Sequence, residues 1–329
     1  MKLNPSSASY FAVVSTTLIS IIMPVKNADA WLRECVDSII SQTHNAWELI
    51  AVDDHSTDTS SEILLGYAEK DDRIRVHTNS GKGIIDALNT ALNDAKGTLV
   101  TRMDADDTMP PDKLEALFDV YQKHPNSVIT GKVKYFSNQP LSEGYSKYEH
   151  WLNERCDHND HWQWIYRECA IASANWLTAK EYVVFEKDVY PEDYNAIFYW
   201  YKQKLPVIST NQITHQWREH PLRTSRNSDR YQQKSFFDLK LKQFLNCDYN
   251  PSRPLALMGA NQKYKLTAKW FKTQGIETEQ IALDQLHKVG ELIDPQILVC
   301  VYPAEELRDG IKDFLTGFGL KMGQDWWWL

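Results

Sequence analysis

The chain has 329 residues, 43% of them apolar, and a formal net charge of −8 at neutral pH. That length and apolar fraction suffice for one large core and a smaller one. The acidic balance excludes the basic stripe by which nucleic-acid-binding proteins hold phosphate backbones. Cys35, Cys156, Cys169, Cys247 and Cys300 lie far apart with no Cys-x-x-Cys spacing, which argues against a disulfide framework or a zinc site and for a reducing cytoplasm.

Near the N-terminus, Lys2, the apolar stretch from Tyr10 to Val25 and Ala28-Asp29-Ala30 imitate a secretory signal with a small-residue cleavage site. Ser15, Thr16, Thr17 and Ser20 interrupt the stretch, Pro24 ends it, and the β-branched residues between Val13 and Ile22 read as strand. The stretch is also too short to span a bilayer.

From Leu18 onward strand and helix alternate. Leu18–Val25 reads as a strand, Ala30–Gln42 as a helix with Leu32, Val36, Ile39 and Ile40 on one face, and Trp47–Val52 as a second strand. A helix over Thr59–Lys70, a short strand over Ile74–His77 and a helix over Lys82–Ala95, entered through Gly81 and Gly83, follow. Thr98–Met103 is a strand, Pro111–His124 a helix and Ser127–Lys134 a strand. This alternation predicts an α/β fold with a mostly parallel sheet covered by helices on both faces. The segment 145–214 is irregular and rich in Trp and Tyr, with helices read over Lys147–Leu152 and Pro191–Gln203. A polar break after Leu245, residues 246–254, carries two prolines. Beyond it Leu255–Asn261 reads as strand then turn, Lys263–Thr273 and Ala304–Gly317 as helices, and Gln296–Val301 as a strand. They predict a domain over 1–245, a linker over 246–254 and a small Rossmann-like α/β module over 255–329. Met258-Gly259-Ala260-Asn261 lacks the full dinucleotide glycine fingerprint, and Trp326-Trp327-Trp328 reads as buried edge packing.

Ligands of such sheets bind beyond the carboxyl ends of the strands. Pro24–Asn27, Asp53-Asp54 and Asp104–Asp107 all fall there. Asp104, Asp106 and Asp107 lie within four residues, where like charges repel and raise one another's pKa unless a cation is bound. A hard divalent ion with oxygen preference, Mg²⁺ or Mn²⁺, fits this chemistry, and such ions also hold substrate phosphates. The plainer alternative is an acidic turn before the helix that begins near Pro111.

Six ordered elements over residues 18–245 resemble family 2 glycosyltransferases of the GT-A fold. They are Ile21–Asn27, Val52–Asp58, Ser80–Asn89, Arg102–Asp107, Tyr190–Tyr194 and His215–Arg226. The resemblance implies a metal-dependent, inverting transferase that moves a sugar from a nucleotide-sugar donor, a UDP-sugar, to a glycan or lipid-linked acceptor in cell-surface polysaccharide synthesis. It assigns Pro24, Val25, Lys26, Asn27, Asp53, Asp54, Lys82, Gly83, Arg102, Asp104 and Arg218 to the nucleotide. It assigns Asp104, Asp106 and His220 to the Mn²⁺ or Mg²⁺ ion, with His215 competing for the histidine role. Asp193 is the implied general base and Glu192 its orienting neighbour; helix-start acids after Pro191 are the plainer alternative. Arg218, Arg223 and Arg226 suit phosphate, in a segment that reads as a lid or a solvated loop.

His55 departs from the glycine or asparagine frequent in such proteins, and Lys26 from an aromatic. His150, His158 and His161 read as surface or acceptor-side residues. Two other readings share the sheet: a nucleotidyltransferase, which would need a glycine-rich basic first loop, and an inactive sugar-nucleotide-binding protein. The expected location is cytoplasmic, with peripheral contact at the inner membrane face.

Overall fold

A computed structural model describes residues 17–329; the part of the signal-like stretch before Thr17 lies outside them. The first half alternates β1 (Ile19–Val25), α1 (Asp29–Ile40), β2 (Trp47–Asp53), α2 (Ser60–Ala68), β3 (Ile74–Thr78), α3 (Ile84–Asp94), β4 (Leu99–Arg102), α4 (Lys113–Lys123) and β5 (Val128–Phe136). Then come α5 (Glu143–His158), β6 (Trp176–Ala179), α6 (Glu192–Lys202), β7 (Val207–Arg218), a single turn α7 (Thr224–Asn227) and α8 (Gln233–Cys247). The remainder is β8 (Leu255–Met258), α9 (Gln262–Thr273), β9 (Glu279–Ile281), β10 (Gln296–Val299), α10 (Glu305–Gly317) and β11 (Trp326–Trp328).

Seven strands form one sheet in the order β3-β2-β1-β4-β6-β5-β7, in which β6 runs antiparallel to β4 and β5. β1 and β2 are buried on both faces, as expected for parallel strands covered by helices. The strand order reverses between β1 and β4, which pair directly. This switch point opens the crevice in which the acid turn after β4 stands.

A second, fully parallel sheet has the order β11-β10-β8-β9. Trp326, Trp327 and Trp328 form its edge strand and are buried. One hydrophobic cluster runs from Ile22 and Val100 of the first sheet through Tyr166, Phe198 and Phe244 to Leu257, Leu298 and Trp327 of the second. Residues 246–254 therefore join two sheets that share a core.

Several boundaries differ from the sequence reading. α3 begins at Ile84, because Gly83 has φ of 92°, outside the helical region, so Lys82 belongs to the preceding loop. α5 is 16 residues rather than the six of Lys147–Leu152. β6 and β7 are additions. β7 is an edge strand whose first half, Ile208–Ile213, is partly exposed and polar, so alternation there is faint. Met258–Asn261 turns from β8 into α9, and the Asn261 side chain caps that helix by accepting the N–H of Tyr264 at 2.9 Å.

Trp327→Ala should destabilise the protein by about 3–5 kcal/mol, the usual cost of emptying a buried aromatic site. Urea unfolding followed by fluorescence checks this, and the loss should appear in one transition because the cluster spans both sheets.

Candidate functional site

The carboxyl ends of β1, β2 and β4 open into one cavity of about 580 Å³. Pro24, Val25, Lys26 and Asn27 line its first wall, with Asp54 and Gly83 beside them. Asp54 is the hub of that wall. One carboxylate oxygen accepts from Asn79 Nδ2 at 2.7 Å and from the Gly83 N–H at 2.8 Å, and the other pairs with Lys26 Nζ at 3.1 Å. Burial pushes the Asp54 carboxyl up, but these hydrogen bonds and the lysine outweigh it and hold the pKa below the ordinary value. His55 has φ of 58°, a left-handed conformation that glycine and asparagine adopt at least cost. Its ring reaches the Gly81 carbonyl at 3.1 Å.

The acid turn after β4 forms the floor. Arg102, the last residue of β4, is buried and forks between two carboxylates: Nε donates to Asp104 Oδ1 at 2.7 Å and Nη1 to Glu192 Oε1 at 3.0 Å. The other Asp104 oxygen accepts from Ser173 Oγ at 3.3 Å. Asp106 Oδ2 lies 2.9 Å from Nε2 of His220, whose ring stacks on Trp31 at 3.8 Å. Desolvation raises the Asp106 carboxyl, yet the His220 hydrogen bond and the Arg223 charge bring it below the ordinary range. Asp107 faces inward instead. Its carboxylate accepts the Arg218 N–H at 2.8 Å and meets His215 Nε2 at 2.9 Å. Burial first, and then the neighbouring Asp106 charge, push its pKa well up.

Glu192 and Asp193 open α6 on the opposite wall. Glu192 is committed to Arg102 and to the hydroxyl of Tyr231. Asp193 uses one oxygen to accept the Tyr194 N–H at 2.8 Å. Burial and the Glu192 charge push its pKa up to about 7, against the opposing charge of Arg102. A carboxyl in that range is matched to proton exchange near neutrality.

The structure thus brings together Pro24–Asn27, Asp54, Gly83, Arg102, Asp104, Asp106, Glu192, Asp193 and His220 around one cavity. Three of the expected nucleotide residues do not line it. Asp53 is buried and accepts the Ser56 N–H at 3.2 Å. Lys82 is exposed on the loop before α3. Arg218 is drawn away to the Asp106 carbonyl at 2.7 Å and to Glu34 at 2.6 Å. Arg223 lines the cavity in its stead. His215 is fully buried, and burial followed by the Lys113 charge holds its pKa well below the ordinary value. Of the two histidines, then, only His220 borders the cavity. His161 is also buried, not at the surface; desolvation and Arg155 lower it to about 3. Lys113, Ser173 and Tyr231 escaped the sequence reading because their partners are 60 or more residues away in most cases, as with Lys113 and Ala174, 61 apart.

Asp104 and Asp106 offer hard oxygen donors at the cavity, and Nδ1 of His220 is buried with no hydrogen-bond partner among the described residues. Among the described residues no three His, Cys, Asp or Glu side chains are grouped as a ready chelate. Two carboxylates suit Mg²⁺ or Mn²⁺, which complete their shell with water and substrate phosphates. The residues present fit such an ion.

Residues 20–176 match the family model of glycosyl transferase family 2. The chain is similar to the glycosyltransferase GlyG of Streptococcus pneumoniae serotype 4, 37% identical over 128 residues that make up 39% of this chain and 42% of the relative. It is also similar to an Escherichia coli protein, the UDP-Glc:alpha-D-GlcNAc-diphosphoundecaprenol beta-1,3-glucosyltransferase WfgD. There the identity is 34% over 125 residues, 38% of this chain and 49% of WfgD. The chain spans less than half the length of these relatives. The solved structure of Staphylococcus aureus TarS 1–349 in complex with UDP-GlcNAc shares the fold, with a TM-score of 0.57 at 18% identity over 70% of this chain and 68% of that one.

Removing Arg102 leaves the buried Glu192 and the partly exposed Asp104 without their common cation, so Arg102→Ala should cost about 3–5 kcal/mol of stability. Arg102→Lys should recover only part of it, because an ammonium cannot fork between two acids. Chemical denaturation of both variants checks the order.

Proposed function

We propose that this chain, which carries a glycosyl transferase family 2 domain over residues 20–176, transfers a sugar from a nucleotide-sugar donor to an acceptor hydroxyl with inversion. The observation that carries the reading is that the carboxylates Asp104 and Asp106 of one turn and the carboxylate Asp193 of another element line one cavity. Asp54 and the backbone of Pro24–Asn27 would hold the base and ribose. Arg223 would face the phosphates, since a guanidinium fork matches their oxygens.

Asp193, with one oxygen fixed by the Tyr194 N–H, would accept the proton of the acceptor hydroxyl. That oxygen forms its bond to the anomeric carbon from the face opposite the nucleotide, while the bond to the diphosphate breaks and the diphosphate leaves with the electron pair. Glu192 keeps Arg102 in place between the two walls. Asp104 and Asp106, with His220 beside them, would hold Mn²⁺ or Mg²⁺, which when bound supplies charge neutralisation at the leaving diphosphate.

The relative WfgD, named for UDP-Glc and a diphosphoundecaprenol-linked sugar, supports a UDP-sugar donor and a lipid-linked or glycan acceptor in polysaccharide assembly. Among the described residues no helix is long and apolar enough to cross a membrane. The acceptor would be met by peripheral contact at the cytoplasmic face, with residues 1–245 as the catalytic unit and 255–329, joined by 246–254, as an accessory module.

Asp193→Asn should lower transfer by about 10²- to 10⁴-fold, the usual worth of a general base, with donor binding unchanged; a binding-only protein would keep its function. Because the ionised form is the base, kcat/KM should fall as pH drops through about 7, the value to which burial and Glu192 raise this carboxyl. Saturating Mn²⁺, by adding positive charge nearby, should move that limb to lower pH. A thermal-shift screen of UDP-, GDP- and TDP-sugars with and without Mn²⁺ tests the reading as a whole. Stabilisation should reach about 2.7 kcal/mol at a hundred times the dissociation constant, and Asp104→Asn with Asp106→Asn should remove its metal-dependent part. No shift with any nucleotide defeats the proposal.

A further inference from the structure

Behind the acid turn, on the side away from the cavity, lies a polar chain that the proposed reaction does not use. Lys113, in the first turn of α4, is fully buried. Its Nζ donates to the Ala174 carbonyl at 2.7 Å and lies 3.2 Å from Nδ1 of His215, whose Nε2 is 2.9 Å from Asp107 Oδ2. One imidazole therefore bridges the two groups, with Nδ1 facing Lys113 and Nε2 facing Asp107. The lysine thus reaches its carboxylate counterpart only through an imidazole.

Both ends of the chain stop one residue short of the cavity. Ala174 follows Ser173, whose hydroxyl donates to Asp104 Oδ2 at 3.3 Å. Asp107 follows Asp106, which pairs with His220. The backbone of Asp107 is also tied to the turn by its N–H bond to the Asp104 carbonyl at 3.2 Å, and Thr108 pairs with Gln216 of β7 in both directions. A buried charge is costly to desolvate, and an apolar side chain of similar volume serves folding as well or better. What the polar chain adds is a fixed distance between the Ser173 loop and β7, the two elements that grip the acid turn from either side.

We propose that Lys113 is a positioning residue which, through His215 and the Ala174 carbonyl, holds Asp104 and Asp106 at the spacing a divalent cation requires on a nucleoside diphosphate. The inference rests on the reading of those two carboxylates as cation ligands. Ions of this class demand near-octahedral geometry, so a site built on two carboxylates of one short turn depends on how firmly that turn is held. Groups one step removed from the ligands usually matter about 10- to 100-fold in metal affinity.

The test measures Mn²⁺ binding to the whole chain in the presence of UDP, from the electron paramagnetic resonance signal of free Mn²⁺, and UDP binding in EDTA by calorimetry. Lys113→Met and His215→Leu should each weaken Mn²⁺ by about 10- to 100-fold and leave UDP binding in EDTA unchanged, because Asp54 and the Pro24–Asn27 wall lie outside the polar chain. His215→Gln, whose amide supplies both a donor and an acceptor, should restore Mn²⁺ affinity to near the native level. Should Lys113→Met fail to fold, the two His215 variants decide the matter. Native Mn²⁺ affinity in Lys113→Met or His215→Leu overturns the proposal, as does parallel loss of Mn²⁺ binding and EDTA-insensitive UDP binding, the mark of a merely structural role. A native chain that binds UDP but no Mn²⁺ defeats the cation reading and the proposal with it, and does so before any variant is compared.

Discussion

The guanidinium of Arg102 is the constraint on which the site depends. It ends β4 beneath the crevice and sits between Asp104 and Glu192, with Asp193 close enough for its charge to be felt. Without it, one carboxylate on the floor and two on the opposite wall would face each other with no cation between them, and mutual repulsion would push the walls apart. With it, the acid turn and the start of α6, 90 residues apart in sequence, are locked to one geometry. The fork also divides labour between neighbours: Glu192 is engaged on both oxygens, by Arg102 and Tyr231, whereas Asp193 keeps one oxygen without a partner among the described residues.

The sheet supplies the frame in which this fork can act. Parallel strands β1, β2 and β4 deliver three loops to the same edge, and the reversal of strand order at β1 and β4 leaves a crevice beyond their ends. The antiparallel strand β6 then lets the chain return beside β4, so that the loop carrying Ser173 arrives next to Asp104. β7 completes the enclosure, pairing at Gln216 with Thr108 just past the acid turn. A mostly parallel sheet with one reversed strand therefore surrounds the turn on three sides while leaving the cavity side open.

How much of this could be read from the chain depends on the range of the interactions. The alternation of β1 through β5 with their helices was legible, since apolar periodicity is local and strong there, and the strand-end position of Asp54 and Asp104 followed from it. Grouping Asp193 with Asp104 needed an ordered set of motifs rather than any spacing. The roles of Arg218 and Arg223 were not legible: both are arginines in one polar stretch, and only the fold shows that Arg218 is drawn to Glu34 and the Asp106 carbonyl while Arg223 reaches the cavity. Lys113 was not singled out, because nothing local marks a residue whose partners are His215 and Ala174. β7 was missed for a different reason: an edge strand with polar residues lacks the alternation that a buried face imposes.

The three clustered acids illustrate how burial can separate chemically identical neighbours. Asp106 and Asp107 are adjacent, yet their carboxyls are driven in opposite directions. Asp106 points to His220 and feels Arg223, which favours its ionised form at the edge of the cavity. Asp107 points inward, where desolvation and the charge of Asp106 itself work against ionisation, and its oxygens are taken up by a backbone N–H and an imidazole. Each arrangement supports the other, since a fully solvated Asp107 would add a third competing charge to the turn, and an unpaired Asp106 would drive its neighbour further from ionisation. A run of acids that is costly as an isolated peptide thus becomes, in the fold, two carboxylates facing the cavity and one anchor facing the core.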